Sequence, residues 1–108
     1  MIISITKDNI EKEVTNSKLP VVMDVYAPWC GPCQHMLPIF EELAKEMEGK
    51  CIFVKLNVDE ARDLSIQYGV TSVPTFIFIK NNEVKGRDTG YKSKEDLKEI
   101  VEKFIEQN

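Results

Sequence analysis

Two cysteines separated by two residues form the part of this sequence best suited to chemistry. They lie in the pentapeptide Trp29-Cys30-Gly31-Pro32-Cys33, which follows an apolar run and precedes a segment of helical periodicity. Within an alternating strand and helix pattern, this spacing indicates a redox-active dithiol, because the second sulfur lies within disulfide-bonding reach of the first. The chemistry expected of the pair is thiol–disulfide exchange.

A helix beginning at the first cysteine makes that thiol reactive. The free N–H groups and partial positive charge of a helix N-terminus stabilise a thiolate, and they lower its pKa from about 8.5 into a range of roughly 3.5–7.5. We therefore expect Cys30 to be the attacking nucleophile and Cys33, one turn into the helix, to be the resolving thiol. Gly31 and Pro32 limit the shape of the loop between them.

The residues on either side of the pair predict the elements that hold it. Residues 21–26 form a nearly continuous apolar run, which is typical of a central strand covered on both faces. After the pair, a long helix is predicted up to Gly49, which suits the position after its last turn, and Pro38 is expected to kink it. The apolar stripe of this helix comprises Met36, Leu37, Phe40, Leu43, Ala44 and Met47.

The rest of the chain alternates strands and helices. Further strands are predicted at residues 2–5, 51–58, 74–79 and 83–89, with Asn81-Asn82 as the turn between the last two. Three further helices are expected. The first is capped by Thr6 or Asp8, the second by Asp59 and the third by Ser93. The order β-α-β-α-β-α-β-β-α predicts an α/β fold, a single domain over residues 1–108 whose central mixed five-stranded sheet is flanked by four helices.

Composition narrows the function classes. The chain has 108 residues and three cysteines, too few for a disulfide framework, so catalytic or metal-binding cysteines are favoured. Its 14 basic and 18 acidic residues give a net charge of −4 without a basic run, which argues against nucleic-acid binding. Apolar runs stop well short of the ~20 residues of a membrane span. The first residues lack the features of a signal peptide, so a cytoplasmic protein is expected.

With these residues in place, the sequence resembles the thioredoxin family over essentially the whole chain. The pentapeptide around the cysteines is highly specific to the reducing members of that family. Supporting matches are Asp24 six residues before Cys30, the segments 55–59 and 73–75, and Gly90. The resemblance implies the thioredoxin fold and reduction of protein disulfides through a reversible Cys30–Cys33 disulfide. It also implies recharging by a flavin-dependent thioredoxin reductase that uses NADPH, with no bound cofactor, and we expect a monomer.

A carboxylate in the central strand has two interpretations. Asp24 lies within a run of Val and Met, where desolvation raises the pKa of a carboxyl group. In that environment Asp24 can accept the proton of Cys33 when this thiol attacks the mixed disulfide, while Lys55 on the neighbouring strand pairs with it and opposes the upward shift. The alternative is a strand-end Asp24 that reaches solvent. The resemblance favours the proton acceptor.

A proline before the fourth strand also has two interpretations. Most X-Pro bonds are trans, and a proline is permitted at the start of a strand. The resemblance instead implies a cis bond between Val73 and Pro74, beside the two cysteines, which turns the Val73 backbone outward to pair with an extended substrate. Trp29, Val73, Pro74 and Gly90 are then expected to line a shallow apolar groove.

Other residues favour ordinary roles, and Gln34 departs from the family pattern. Cys51 opens a strand and is expected to be a small buried hydrophobe. His35 is offset by one position from a haem-attachment motif, and one cysteine pair with one histidine does not supply the four ligands of a zinc site. Gln34 follows the second cysteine where Lys or Arg is usual in the family, which removes a positive charge near the thiolate.

Three alternatives to a reductase remain open from the sequence. An isomerase- or oxidase-like domain uses the same chemistry at a more oxidising potential. A binding subunit uses the fold as a scaffold, with incidental cysteines, since fold alone does not fix function. A metal-binding protein predicts stoichiometric zinc.

Overall fold

One mixed five-stranded sheet organises the chain. The computed structural model describes residues 2–107, so Met1 and Asn108 of the predicted domain lie outside the described residues. Its strands are β1 (Ile3–Ser4), β2 (Val21–Tyr26), β3 (Ile52–Asn57), β4 (Thr75–Lys80) and β5 (Glu83–Thr89). The order across the sheet is β1-β3-β2-β4-β5. Strands β1, β3 and β2 run parallel, β4 runs antiparallel to β2, and β5 runs antiparallel to β4. The predicted thioredoxin-type α/β fold is confirmed.

Three α-helices and one π-helix connect the strands. The α-helices are α1 (Gly31–Glu46), α2 (Arg62–Gln67) and α3 (Lys94–Glu106), and the π-helix is Glu11–Thr15. In the π-helix, the Asn16 N–H donates to the Glu11 carbonyl over 2.9 Å, a spacing of five residues. Within the described residues, every helix is too short or too polar to cross a bilayer.

Two predicted helix caps are wrong. The Thr6 hydroxyl accepts the Asp8 N–H over 3.2 Å, but this contact closes a turn ahead of the π-helix, which has no side-chain cap. Helix α2 begins after Ala61, again without a side-chain cap. Asp59 instead donates its N–H to the Asn57 side chain over 2.9 Å. In both places a short polar side chain bonds to a backbone group nearby and so favours a turn over a helix start.

The two faces of the sheet carry separate cores. Helices α1 and α3 cover one face, where Phe40 packs against Phe53 with ring centroids 4.8 Å apart. Helix α2 and the π-helix cover the other face through Leu64 and Val14. Strand β2 lies in the middle of the sheet and is buried on both faces except at its last residue, Tyr26, as its apolar run predicted.

The predicted hairpin turn and final helix start are confirmed. Asn81 and Asn82 both have positive φ values, 53° and 61°, which the β4–β5 turn requires and which asparagine tolerates. The Ser93 side chain accepts the Asp96 N–H over 3.2 Å at the start of α3. These two local signals therefore locate the β4–β5 hairpin and the start of α3.

Candidate active site

A disulfide between Cys30 and Cys33 lies at the first turn of α1, with their Cα atoms 5.2 Å apart. Cys30 is the extended residue that caps the helix, and the Cys33 N–H donates to its sulfur over 3.2 Å. Pro32 fits this first turn because its missing N–H has no helical acceptor there. Strand β2 therefore ends at Tyr26, Cys30 caps the helix, and α1 begins at Gly31.

The two sulfurs have different surroundings. Cys30 keeps 7% of its surface exposed, whereas Cys33 is fully buried. In the reduced state, the Cys33 N–H and the helix N-terminus both favour a negative charge on the Cys30 sulfur. This difference in exposure makes Cys30 the sulfur that a partner disulfide can reach and leaves Cys33 beneath the surface.

A buried carboxylate lies on the sheet face that α1 covers. Asp24 is fully buried in β2, and neither of its carboxylate oxygens has a hydrogen-bond partner among the described residues. Its side chain shares a face with that of Val22, two residues earlier, which packs in the core beneath α1. The alternative of a solvent-reaching Asp24 is therefore wrong.

The electrostatics of Asp24 follow from that burial. Loss of water raises the pKa of the Asp24 carboxyl group to about 7, and the positive charge of Lys55 opposes the rise. Lys55 is directly opposite Asp24 in the parallel register of β2 and β3. Within residues 2–107 the two side chains form no ion pair close enough to be a salt bridge, so Lys55 acts on Asp24 through its field.

The residues expected to line a groove gather around the disulfide. The Val73–Pro74 bond is cis, and the Val73 carbonyl oxygen lies 3.8 Å from the Cys30 sulfur. The Gly90 N–H donates to the Pro74 carbonyl over 2.9 Å, so the loop after β5 lies against the loop before β4. Trp29 is 71% exposed beside them.

An open groove of about 550 Å³ runs from Trp29 and Val73 towards α2, whereas Pro74 and Gly90, which were also expected in its lining, are not among the residues that line it. Sequence reasoning missed several residues of its lining: Val58, Asp59, Arg62, Ile66 and Val70. They come from three separate segments, so no single motif brings them together. The sequence carried no signal for this lining, since the 62% exposure of Ile66 on the short helix is visible only in the folded chain.

Two further residues that the sequence analysis discussed have defined environments. The Gln34 amide donates to the Pro28 carbonyl over 2.9 Å, so the residue that replaces the usual cation ties the helix to the segment before Trp29. Cys51 is a free, buried thiol whose pKa is raised to about 11 by burial, which fits its expected packing role. Among residues 2–107, no group of three or more His, Cys, Asp or Glu side chains is arranged to hold a metal ion.

Comparison with known proteins finds one family over nearly the whole chain. The family model described as Thioredoxin matches residues 1–103. The chain is 39% identical to a thioredoxin of Rickettsia felis, over 94% of this chain and 97% of that protein. It is 38% identical to a thioredoxin of Haemophilus influenzae, over 96% and 97%.

A plant relative is similar but longer. The chain is 48% identical to a chloroplastic M-type thioredoxin of Pisum sativum, over 85% of this chain. It spans about half of that protein, 54% of its length. The bacterial relatives therefore match this chain over nearly all of its length and of theirs, whereas the chloroplastic protein contains additional sequence.

Proposed function

This chain belongs to the thioredoxin family and is a protein-disulfide reductase, and we propose that Cys30 and Cys33 divide its reaction into two steps. In the first, the Cys30 thiolate attacks one sulfur of a target disulfide, forms a mixed disulfide, and expels the other target sulfur as a thiolate. In the second, the Cys33 thiolate attacks the Cys30 sulfur, which releases the reduced target and forms the Cys30–Cys33 disulfide. The observation that carries this proposal is the disulfide at the first turn of α1.

Asp24 is proposed as the acceptor of the Cys33 proton. Cys33 is fully buried, so water is a poor acceptor for its proton. Asp24 lies on the sheet face covered by the same helix, and with a pKa of about 7 it is partly ionised and partly protonated at neutral pH, as a proton acceptor requires. Lys55 is proposed to set that balance through its positive charge.

The groove is proposed to bind an extended segment of the target. The Val73 backbone next to Cys30 is placed to pair with the target backbone, as in strand addition. Trp29, Pro74 and Gly90 are proposed to contact the side chains that flank the target disulfide. Gly31 and Pro32 are proposed to limit the shape of the loop between the two cysteines, and the structure leaves open space where a side chain on Gly31 would start.

The reaction cycle requires a source of electrons. We propose that a flavin-dependent thioredoxin reductase, with NADPH as its electron source, returns the Cys30–Cys33 disulfide to the dithiol, and that no cofactor binds this chain. A cytoplasmic location is also proposed, since a reducing dithiol works where thiols are kept reduced. The protein is proposed to act as a monomer, which sedimentation at assay concentration tests.

Reduction of insulin by the protein, coupled to thioredoxin reductase and NADPH, tests the proposal. The wild type is expected to turn over. Cys33→Ser is expected to accumulate a mixed disulfide with the target, and Cys30→Ser to form none. If a Cys30→Ser, Cys33→Ser double variant kept full activity, the two-step reaction would be refuted. A reduction potential near −120 mV, that of a strong oxidant, would instead favour the oxidase-like alternative.

A further inference from the structure

The carboxyl end of β5 contacts both loops that flank Cys30. One loop, residues 69–74, runs from the end of α2 to Pro74, and the other, residues 90–93, runs from β5 to α3. Gly90 in the second loop donates its N–H to Pro74 in the first over 2.9 Å. The relative position of the two loops therefore depends on how each is held to β5, which is the edge strand of the sheet.

Arg87 holds the start of the first loop. Its guanidinium donates to the Tyr68 carbonyl over 2.7 Å and to the Gly69 carbonyl at 3.5 Å. These carbonyls follow the last turn of α2, where Gly69 has a φ of +71° and the Val70 N–H donates back to the Ser65 carbonyl over 3.0 Å. That arrangement is a Schellman motif, which satisfies earlier carbonyls of α2 and leaves those of Tyr68 and Gly69 for a cation.

Lys92 holds the second loop. Its ammonium group contacts the Asp88 carboxylate at 2.6 Å and the Thr89 carbonyl at 3.3 Å, and only 14% of its side chain is exposed. Its backbone N–H donates to the sulfur of Met36 over 3.4 Å, which ties the loop to the helix that carries the cysteines. Lys92 thus closes residues 88–92 around Gly90.

Arg87 and Asp88 are adjacent in a strand, so their side chains leave opposite faces of β5. The Arg87 side chain reaches the α2 side of the sheet, and the Asp88 side chain reaches the α1 side. Each loop is anchored from its own face, and the Gly90–Pro74 hydrogen bond joins the two loops next to Val73, whose carbonyl lies beside the Cys30 sulfur.

We propose that Arg87 and Lys92 are positioning residues for substrate binding, which set the spacing of the two loops beside Cys30 without taking part in sulfur exchange. This rests on the proposed function of the groove. A protein disulfide that must enter between the loops depends on their spacing, whereas a small disulfide that meets only the Cys30 sulfur does not.

Arg87→Met and Lys92→Met test the proposal, because methionine keeps an apolar stem and removes the charge and the donors. Each variant is expected to raise KM for insulin about five-fold, the factor of an ordinary hydrogen bond, with kcat unchanged. The rate constant for reaction of the reduced protein with the small aromatic disulfide DTNB is expected to stay within about two-fold of wild type. Arg87→Lys and Lys92→Arg are expected to restore most of the lost affinity, since each keeps a cation that can donate to the same carbonyl oxygens.

Matched controls come from lysines in similar settings. Lys85 lies on the same strand and pairs only with the exposed Glu83 in the described structure, and Lys103 pairs with Glu99 four residues away, as Lys92 does with Asp88. Lys85→Met and Lys103→Met are expected to leave both assays unchanged. Equal KM values for Arg87→Met, Lys92→Met and these controls would overturn the proposal, as would equal losses with insulin and with DTNB.

Amide hydrogen exchange tests the same idea without activity. The Gly90 amide is expected to exchange about five-fold faster in Lys92→Met, and the Val70 amide about five-fold faster in Arg87→Met, each without the other changing. Unchanged exchange at both amides would also overturn the proposal. If the wild type reduced neither DTNB nor insulin, the proposed function would fail instead, while the exchange result would still decide whether these residues anchor the loops.

Discussion

Replacement of Asp24 by asparagine is expected to make the fold more stable at high pH. It is also expected to slow the second reaction step, in which Cys33 attacks the mixed disulfide. The substitution keeps the shape of the side chain and removes its charge. In the wild type, an ionised Asp24 is fully buried without a hydrogen-bond partner in the described structure, so its negative charge lacks the solvation it has in the unfolded chain. The same charge is the one that can take the Cys33 proton.

The size of the stability effect follows from the pKa of Asp24. Folding raises it from the ordinary 3.8 to about 7, and a shift of about three units corresponds to about 4 kcal/mol. Between these two values the folded state keeps a proton that the unfolded state has lost, so the free energy of unfolding falls as pH rises. The loss is complete above about pH 7. Asp24→Asn lacks this contribution, so its stability relative to wild type is expected to be about 4 kcal/mol greater at pH 8 than at pH 4.

Urea unfolding of the oxidised protein, followed by circular dichroism at several pH values, measures this difference. Asp8→Asn is the control, since Asp8 is exposed and its carboxylate forms no salt bridge in the described structure. An Asp24→Asn protein whose stability falls with pH as steeply as that of the wild type would refute the argument from burial. In a separate arm, release of target from the Cys30 mixed disulfide is expected to slow by at least ~10-fold at neutral pH. An unchanged release rate would exclude Asp24 as the proton acceptor.

Other substitutions test separate parts of the structure. Lys55→Met is expected to raise the pKa of Asp24 further, because it removes the charge that opposes the rise, and titration of the carboxyl group by NMR measures this. Cys51→Ala is expected to leave insulin reduction unchanged, and in the oxidised wild type the Cys51 thiol, with its pKa raised to about 11, is expected to resist iodoacetamide at pH 8. Ser93→Ala is expected to lower the free energy of unfolding by about 1 kcal/mol through loss of the α3 cap, and Phe40→Ala by about 3–5 kcal/mol through loss of core packing. Urea unfolding measures both, and losses of equal size would contradict the assigned roles.

The sequence predicted most of the fold because its strongest signals are local. A nearly continuous apolar run gave the bounds of β2, and the Asn81-Asn82 turn gave the hairpin that pairs β4 with β5. The helix caps at Thr6 and Asp59 were wrong because a short polar side chain, Thr6 at the first place and Asn57 at the second, accepts a backbone N–H in a turn as readily as at a helix start. Only the surrounding backbone decides between the two.

The candidate site was predictable where one motif carries it. The pentapeptide placed the cysteines at the start of α1, and the family resemblance added the cis bond before Pro74. The far wall of the groove was not predictable, since Val58, Ile66 and Val70 meet only after the sheet and α2 have formed. Contacts such as those of Arg87 and Lys92 likewise leave no periodic signal in the sequence.

The position of Asp24 in the sheet explains why its environment is unusual. Strand β2 has β3 on one side and β4 on the other, and α1 covers the face that carries the carboxylate. An apolar residue at this position would complete the core and remove the pH-dependent loss of stability. Retention of a carboxylate there costs stability at neutral pH, and the compensating benefit that we propose is a proton acceptor beneath a helix whose first turn carries a buried thiol. On that proposal, the same burial that suits Asp24 to accept the Cys33 proton makes the fold less stable as pH rises.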